Sequence, residues 1–440
     1  MRIDPLKPHP VGSGPAKSAI RPPQKGRAAK AEQDRVELQS RAVKSQPKKN
    51  AVPGFPAPDL SPLPPKKWTV LLYAASNDGW SPHLKEKIWD IEDNMADLDN
   101  VNFLADRLAP PDYPLHDYRN KVIASFSCLD PYRSKEIARE DRIPVNSPEH
   151  LEKSLLLALK KYPAQNYLIV IDSHGSGFPG VIFDCKEKSF MPIKDFRQAV
   201  QNAEKAAGVD KGQVVLGFDT CLQGEAEALY EMKDLAEYIV ASPSEIRFGG
   251  WNLGAVTGKE NLGDLNPREM VEHIMDKNSE QLLVTETIAA YDPKMMPQLK
   301  AGMDELGKAI LKDRPEKARL REALQSAQAY DNITTLPQKY VDLGDFCRKI
   351  RSNPGIKNPA VRDSAEKLQK ILGKAVLREA HNPKTFPQST GISAYPAYCP
   401  PESLPDNPSH SRYRDTAIGK ETSWEKAMVM LLGQAEGKAR

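Results

Sequence analysis

The run Val214-Val-Leu-Gly-Phe218 constrains this chain more than any other stretch. It is short, apolar and partly β-branched, as suits a parallel strand buried on both faces. The sequence then turns polar at Asp219 and Thr220, and Cys221 follows. From there Leu222, Ala226, Leu229 and Ala236 can share one face, which predicts a helix. Cys221 therefore falls where a strand gives way to a helix, the edge at which open parallel sheets bind ligands. A helix N-terminus favours the thiolate, and a thiol that ordinarily titrates near ~8.5 needs that help to attack.

About forty residues earlier, by the same reading, Tyr167-Leu-Ile-Val-Ile171 is a second apolar run. It ends in Asp172-Ser-His174-Gly-Ser-Gly177. A histidine on a glycine-flanked loop at a strand end is a general-base candidate. If the two strands are neighbours, His174 and Cys221 face each other.

Order, spacing and strand context together make this pair specific. A strand ending in His-Gly-Ser-Gly, then one ending in Phe-Asp-x-Cys with Tyr230-Glu231 behind it, resembles the clostripain family of cysteine peptidases. That family shares its fold with caspases, legumains and gingipains. Val240–Glu245, Gly249-Gly250-Trp251, Tyr340–Phe346 and Gly391–Tyr395 also resemble family segments, so the likeness spans roughly residues 67–435. It implies an α/β fold: a caspase-like α/β/α sandwich with a mostly parallel sheet, followed by a mainly helical C-terminal region. Residues 67–255 are then the peptidase domain and 256–440 the C-terminal region, preceded by a tail over 1–66.

The resemblance implies an endopeptidase in which Cys221 attacks the scissile carbonyl and His174 passes its proton to the leaving amine. These two form a dyad and work through a thioester. The backbone N–H groups of Gly175 and Cys221 would hold the oxyanion, and a glycine at 175 lets the substrate approach the backbone closely. Asp219 lies two residues before the nucleophile. Residues two apart in a strand share a face, so it can line the same pocket. The resemblance gives it the recognition of Arg or Lys before the cut, chemistry a carboxylate suits; helix capping is the competing role. Glu245 is read as a second pocket acid or a surface charge. Trp251 is read as a groove wall or a core residue. Some members of the family cut themselves after a basic residue in the region of Cys185–Lys188, and Lys186 or Lys188 would serve here. Calcium dependence comes from the resemblance alone. No EF-hand-type loop occurs, and the dyad needs no cofactor.

Residues 1–66 are rich in Pro, Lys, Arg, Ala and Ser, which predicts a disordered tail or propeptide. The first 67 residues hold an excess of roughly nine positive charges, against +3 for all 440. Without interleaved aromatics this basic tail does not predict nucleic-acid binding. Trp68–Ala75 reads as a first buried strand with a turn at Ser76–Gly79, where Asp78 caps the next helix or meets substrate or a cation. That helix carries Leu84, Ile88, Ile91, Met95 and Leu98 on one face. Asn102–Arg107, Val122–Leu129 and Glu237–Ala241 read as further strands, with Cys128 as a buried strand cysteine. Ser147-Pro148 starts a helix; Gly180–Asp184 and Ser189–Met191 read as a hairpin. Beyond Asn266 only helices are expected. His116 and His150 carry no motif and are expected at the surface.

The five cysteines, Cys128, Cys185, Cys221, Cys347 and Cys399, are scattered, which argues against a disulfide framework or zinc site. No apolar run is long enough to span a membrane. No signal peptide is visible, which places the chain in the cytoplasm, although peptidases it resembles are usually secreted. The expected partners are protein or peptide substrates with Arg or Lys before the cut, met by a monomer. A serine esterase would need Gly-x-Ser-x-Gly, which is absent. The remaining alternative is a catalytically silent caspase-like scaffold that binds partners.

Overall fold

A computed structural model describes residues 59–432, apart from 111–121, 133, 247–248, 281, 283–285, 331–339 and 397–412. Most of the tail, with His116 and Cys399, lies outside the described residues.

The strands are β1 (Lys66–Ala75), β2 (Val101–Ala109), β3 (Ile123–Cys128), β4 (Lys135–Asp141), β5 (Ala164–Asp172), β6 (Val181–Asp184), β7 (Ser189–Met191), β8 (Val214–Asp219), β9 (Tyr238–Ala241), β10 (Thr287–Tyr291), β11 (Val341–Asp342), β12 (Val376–His381) and β13 (Ser393–Ala394). Nine of them form one sheet in the order β12-β10-β9-β8-β5-β1-β2-β3-β4. The centre, β9-β8-β5-β1-β2, is parallel. Both flanks are antiparallel. This is the mostly parallel sheet the sequence called for.

The helices are α1 (Ser81–Asn94), α2 (Pro148–Lys161), α3 (Ile193–Ala207), α4 (Ala226–Glu231), α5 (Leu253–Thr257), α6 (Pro267–Ser279), α7 (Met296–Lys312), α8 (Lys317–Gln325), α9 (Leu343–Ser352), α10 (Pro359–Ala375), α11 (Ala417–Glu421) and α12 (Trp424–Leu432). Period-two alternation divides the core. Along β1, Leu71, Tyr73 and Ala75 join the larger core with residues of α2, α3 and α7. Trp68, Val70, Leu72 and Ala74 join the second, with residues of α1, α5 and α6. Successive side chains point to opposite faces, so helices are needed on both. No helix among the described residues is long and apolar enough to cross a membrane.

Two expectations change. The region after Asn266 is mostly helical, but it also supplies β10 and β12 to the main sheet. The helix after Cys221 begins only at Ala226, with Glu225 at the N-cap position, and is six residues long. Between them Leu222 adopts φ 65°, a left-handed conformation that no helix continues through.

Candidate active site

β5 and β8 are direct neighbours, with Asp172 opposite Asp219. The loops that follow them therefore leave the same edge side by side. The His174 loop folds back as a narrow ribbon: Ile182 N–H donates to His174 O and Ser176 N–H to Gly180 O. Gly175 pairs with Val181 between these bonds, a position whose own N–H joins neither. A Cβ built on Gly175 would lie 2.4 Å from the carbonyl oxygen of Cys221. Only glycine allows the two loops to touch here. His174 and Cys221 are thus brought together.

The segment after Cys221 holds this ribbon. Gln223 donates to Gly180 O, and Glu225 accepts from Phe178 N–H at 2.7 Å. On its other side it pairs with the chain after β9: Leu222 N–H donates to Ser244 O and Gly224 N–H to Ser242 O. The C-terminal region reaches the site as well, through Ser393 N–H on Gly224 O and the Tyr340 hydroxyl on Ser176 O.

Asp78 is the residue whose part here was not anticipated. Its Oδ1 accepts from Ser76 Oγ and Trp80 N–H, an Asx-type turn before α1. Its Oδ2 meets His174 Nε2 at 2.7 Å. With Nε2–H donating to that carboxylate, Nδ1 keeps a lone pair for a proton. Burial opposes ionisation of Asp78, but the bonds from His174 and Ser76 prevail and hold it well below the usual carboxylate range. The Cys185 thiol stands 3.7 Å from the same Oδ2. Asn77 donates to Asp184 and accepts from Cys185 N–H, tying the Asp78 turn to the β6–β7 hairpin.

The Cys221 sulfur accepts from Ile246 N–H at 3.3 Å. Burial, opposed by that bond and helped by the charges of Glu245 and Asp219, pushes the thiol up to about 12. The six-residue helix that follows supplies no helix-terminus field at the sulfur, so the thiolate expected at rest is not favoured.

Asp219 is 3% exposed. It pairs with Lys87 of α1 and accepts from Trp251 N–H at 2.8 Å. The period-two argument ended with the strand: β8 stops at Asp219, and the turn carries Cys221 away from that face. Trp251, 5% exposed, packs beneath Gly217 and also lines a cavity of about 330 Å³ with Ile246, Gly250, Asp90 and Glu286. Glu245 is half-buried beside the nucleophile; Lys186 and Lys188 are exposed at the hairpin tip. His150 is buried, not superficial, and bridges Asp106 and Glu140.

The clostripain family model, Peptidase_C11, matches residues 74–426. The chain belongs to the clostripain family. It is therefore a cysteine-type peptidase. Among solved structures it is similar to a secreted C11 cysteine protease from Bacteroides thetaiotaomicron in complex with an irreversible peptide inhibitor, at 18% identity and TM-score 0.59, over 82% of this chain and 99% of that one. It is similar also to an inactive zymogen C11 protease from Parabacteroides distasonis, at 20% identity and TM-score 0.59, over 82% of this chain and 99% of that one. At such identities the likeness speaks for the fold. No curated protein sequence matches the chain.

Proposed function

We propose that this clostripain-family chain is an endopeptidase in which Cys221 is the nucleophile and His174 the proton carrier, with Asp78 orienting the imidazole. The observation that carries the reading is the contact of the two strand-end loops at Gly175 and Cys221. The Cys221 thiol gives its proton to His174 Nδ1 as sulfur bonds to the substrate carbonyl carbon. The oxyanion is held by the N–H groups of Gly175 and Cys221. The C–N bond then breaks, His174 returns the proton to the departing amine, and a thioester remains. Water, deprotonated by His174, attacks the thioester; the acid leaves and the thiol recovers its proton. All of these groups lie on one chain, which supports a monomer as the working unit.

A preference for Arg or Lys before the cut is the finer part of the proposal. Its support is the charge around the cavity beside Ile246, which Asp90 and Glu286 line. Self-cleavage after Lys186 or Lys188 fits their exposure. The described residues hold no cluster of three or more His, Cys, Asp or Glu disposed to bind a metal, and no step runs through one.

The test is kcat/KM on peptides varied before the cut, for wild type, Cys221→Ala and His174→Ala. The reading expects cleavage that falls by a factor of about 10³ or more in either variant. Cleavage that survives Cys221→Ala contradicts it.

A further inference from the structure

Lys87 sits on the apolar stripe of α1, between Leu84 and Ile91, where a lysine is out of place. Its side chain is 7% exposed. Its ammonium lies 2.9 Å from Asp172 and closer still to Asp219. These acids end β5 and β8, two residues before His174 and Cys221. The backbone of Gly250 and Trp251 closes over the ion pair: Trp251 N–H donates to Asp219 Oδ2. A Cβ on Gly250 would lie 2.5 Å from both Asp219 oxygens and 2.7 Å from Lys87 Nζ. The same two residues line the cavity beside the nucleophile. A side chain entering that cavity meets the Gly250 backbone, not the Asp219 carboxylate.

We propose that Lys87 is a specificity-determining residue, a resident cation that occupies Asp219 before any substrate does and leaves the side chain in front of the cut to be read by the cavity wall. The inference rests on the peptidase reading. Lys87 carries the same charge as a basic substrate side chain. It takes up the attraction of the carboxylate and repels a second cation from the Gly250 side. The chain therefore discriminates charge through Asp90 and Glu286, and less sharply than an open strand-end carboxylate would.

The experiment uses the full chain and four peptides that differ only in carrying Arg, Lys, Gln or Met before the cut. Asp219→Asn leaves Lys87 and Asp172 as a one-to-one pair, so its fold is expected to survive. Its ratio of kcat/KM for Arg over Gln is expected to change less than threefold. In Lys87→Met combined with Asp172→Asn, which removes the resident cation together with one of its two acids, that ratio is expected to rise tenfold or more. A tenfold or larger loss of Arg selectivity in Asp219→Asn overturns the proposal alone, even if the double variant does not fold. An unchanged ratio in a folded double variant overturns it too. A chain that cleaves none of the four peptides takes the proposal down together with the peptidase reading.

Discussion

Burial favours the protonated form of Cys221. With the thiol pushed up to about 12 by burial, attack needs the proton to leave as sulfur meets the carbonyl, and His174 is the group proposed to take it. Alkylation of Cys221 by iodoacetamide in the free enzyme is expected to stay slow at neutral pH and to rise only well above pH 9. A plateau by pH 8 would mean a preformed thiolate. Asp78 fixes which imidazole nitrogen is left for that transfer. Asp78→Asn is expected to lower kcat about tenfold to a thousandfold with little change in KM, because it turns the ring without touching substrate. Asp78→Glu should recover part of the loss, which a merely structural role would not predict.

At this scale Cys221 and His174 were legible, since residue type and strand context coincide at both. Asp78 was legible as a helix cap or as a contact to substrate or a cation, but not as the partner of His174, which lies 96 positions away. Lys87 is marked by its spacing alone: a charged residue at i+3 from Leu84 and i−4 from Ile91 is on the buried face.

The loops, rather than the strands, decide the chemistry. The strands follow from apolar runs: the ends of β1, β5 and β8 fall within three residues of their expected positions. β10 and β12 were hidden because Thr287-Ile-Ala-Ala-Tyr291 is short and alanine-rich, and because the edge strand Val-Leu-Arg-Glu-Ala-His over 376–381 lacks the period-two alternation of a half-buried strand. The late start of α4 is a backbone matter, since a left-handed Leu222 is not readable from residue type. The contact between the two loops makes Gly175→Ala a sharp test. Its Cβ would strike the Cys221 carbonyl backbone, so kcat/KM is expected to fall at least a hundredfold and the melting temperature to drop as the loops are pushed apart. Full activity would mean the loops do not meet.

On the scale of the whole molecule, the sheet is held at its far edge by an ionic bridge. Burial opposes a charge on His150, but Asp106 and Glu140 overcome it and raise the imidazole from 6.5 to about 9. A raised folded-state value means the proton stabilises the fold. The contribution is complete below pH 6.5 and is lost as pH rises through 9. It amounts to at most about 3 kcal/mol. The melting temperature should fall across that window, and His150→Gln should flatten the profile. A wild-type profile unchanged between pH 6 and 9.5 would contradict the bridge. The C-terminal region belongs to the same fold, since β10 and β12 extend the sheet. A chain ending at residue 285 is expected to lose its cooperative melt, whereas one beginning at residue 59 should keep it.

The most direct test of the account is to label the wild-type chain with a peptide chloromethyl ketone ending in Arg and to locate the adduct by peptide mass mapping. The account predicts one modification, on Cys221, absent from His174→Ala under the same conditions. An adduct on Cys128, Cys185, Cys347 or Cys399, or equal labelling without His174, would contradict it.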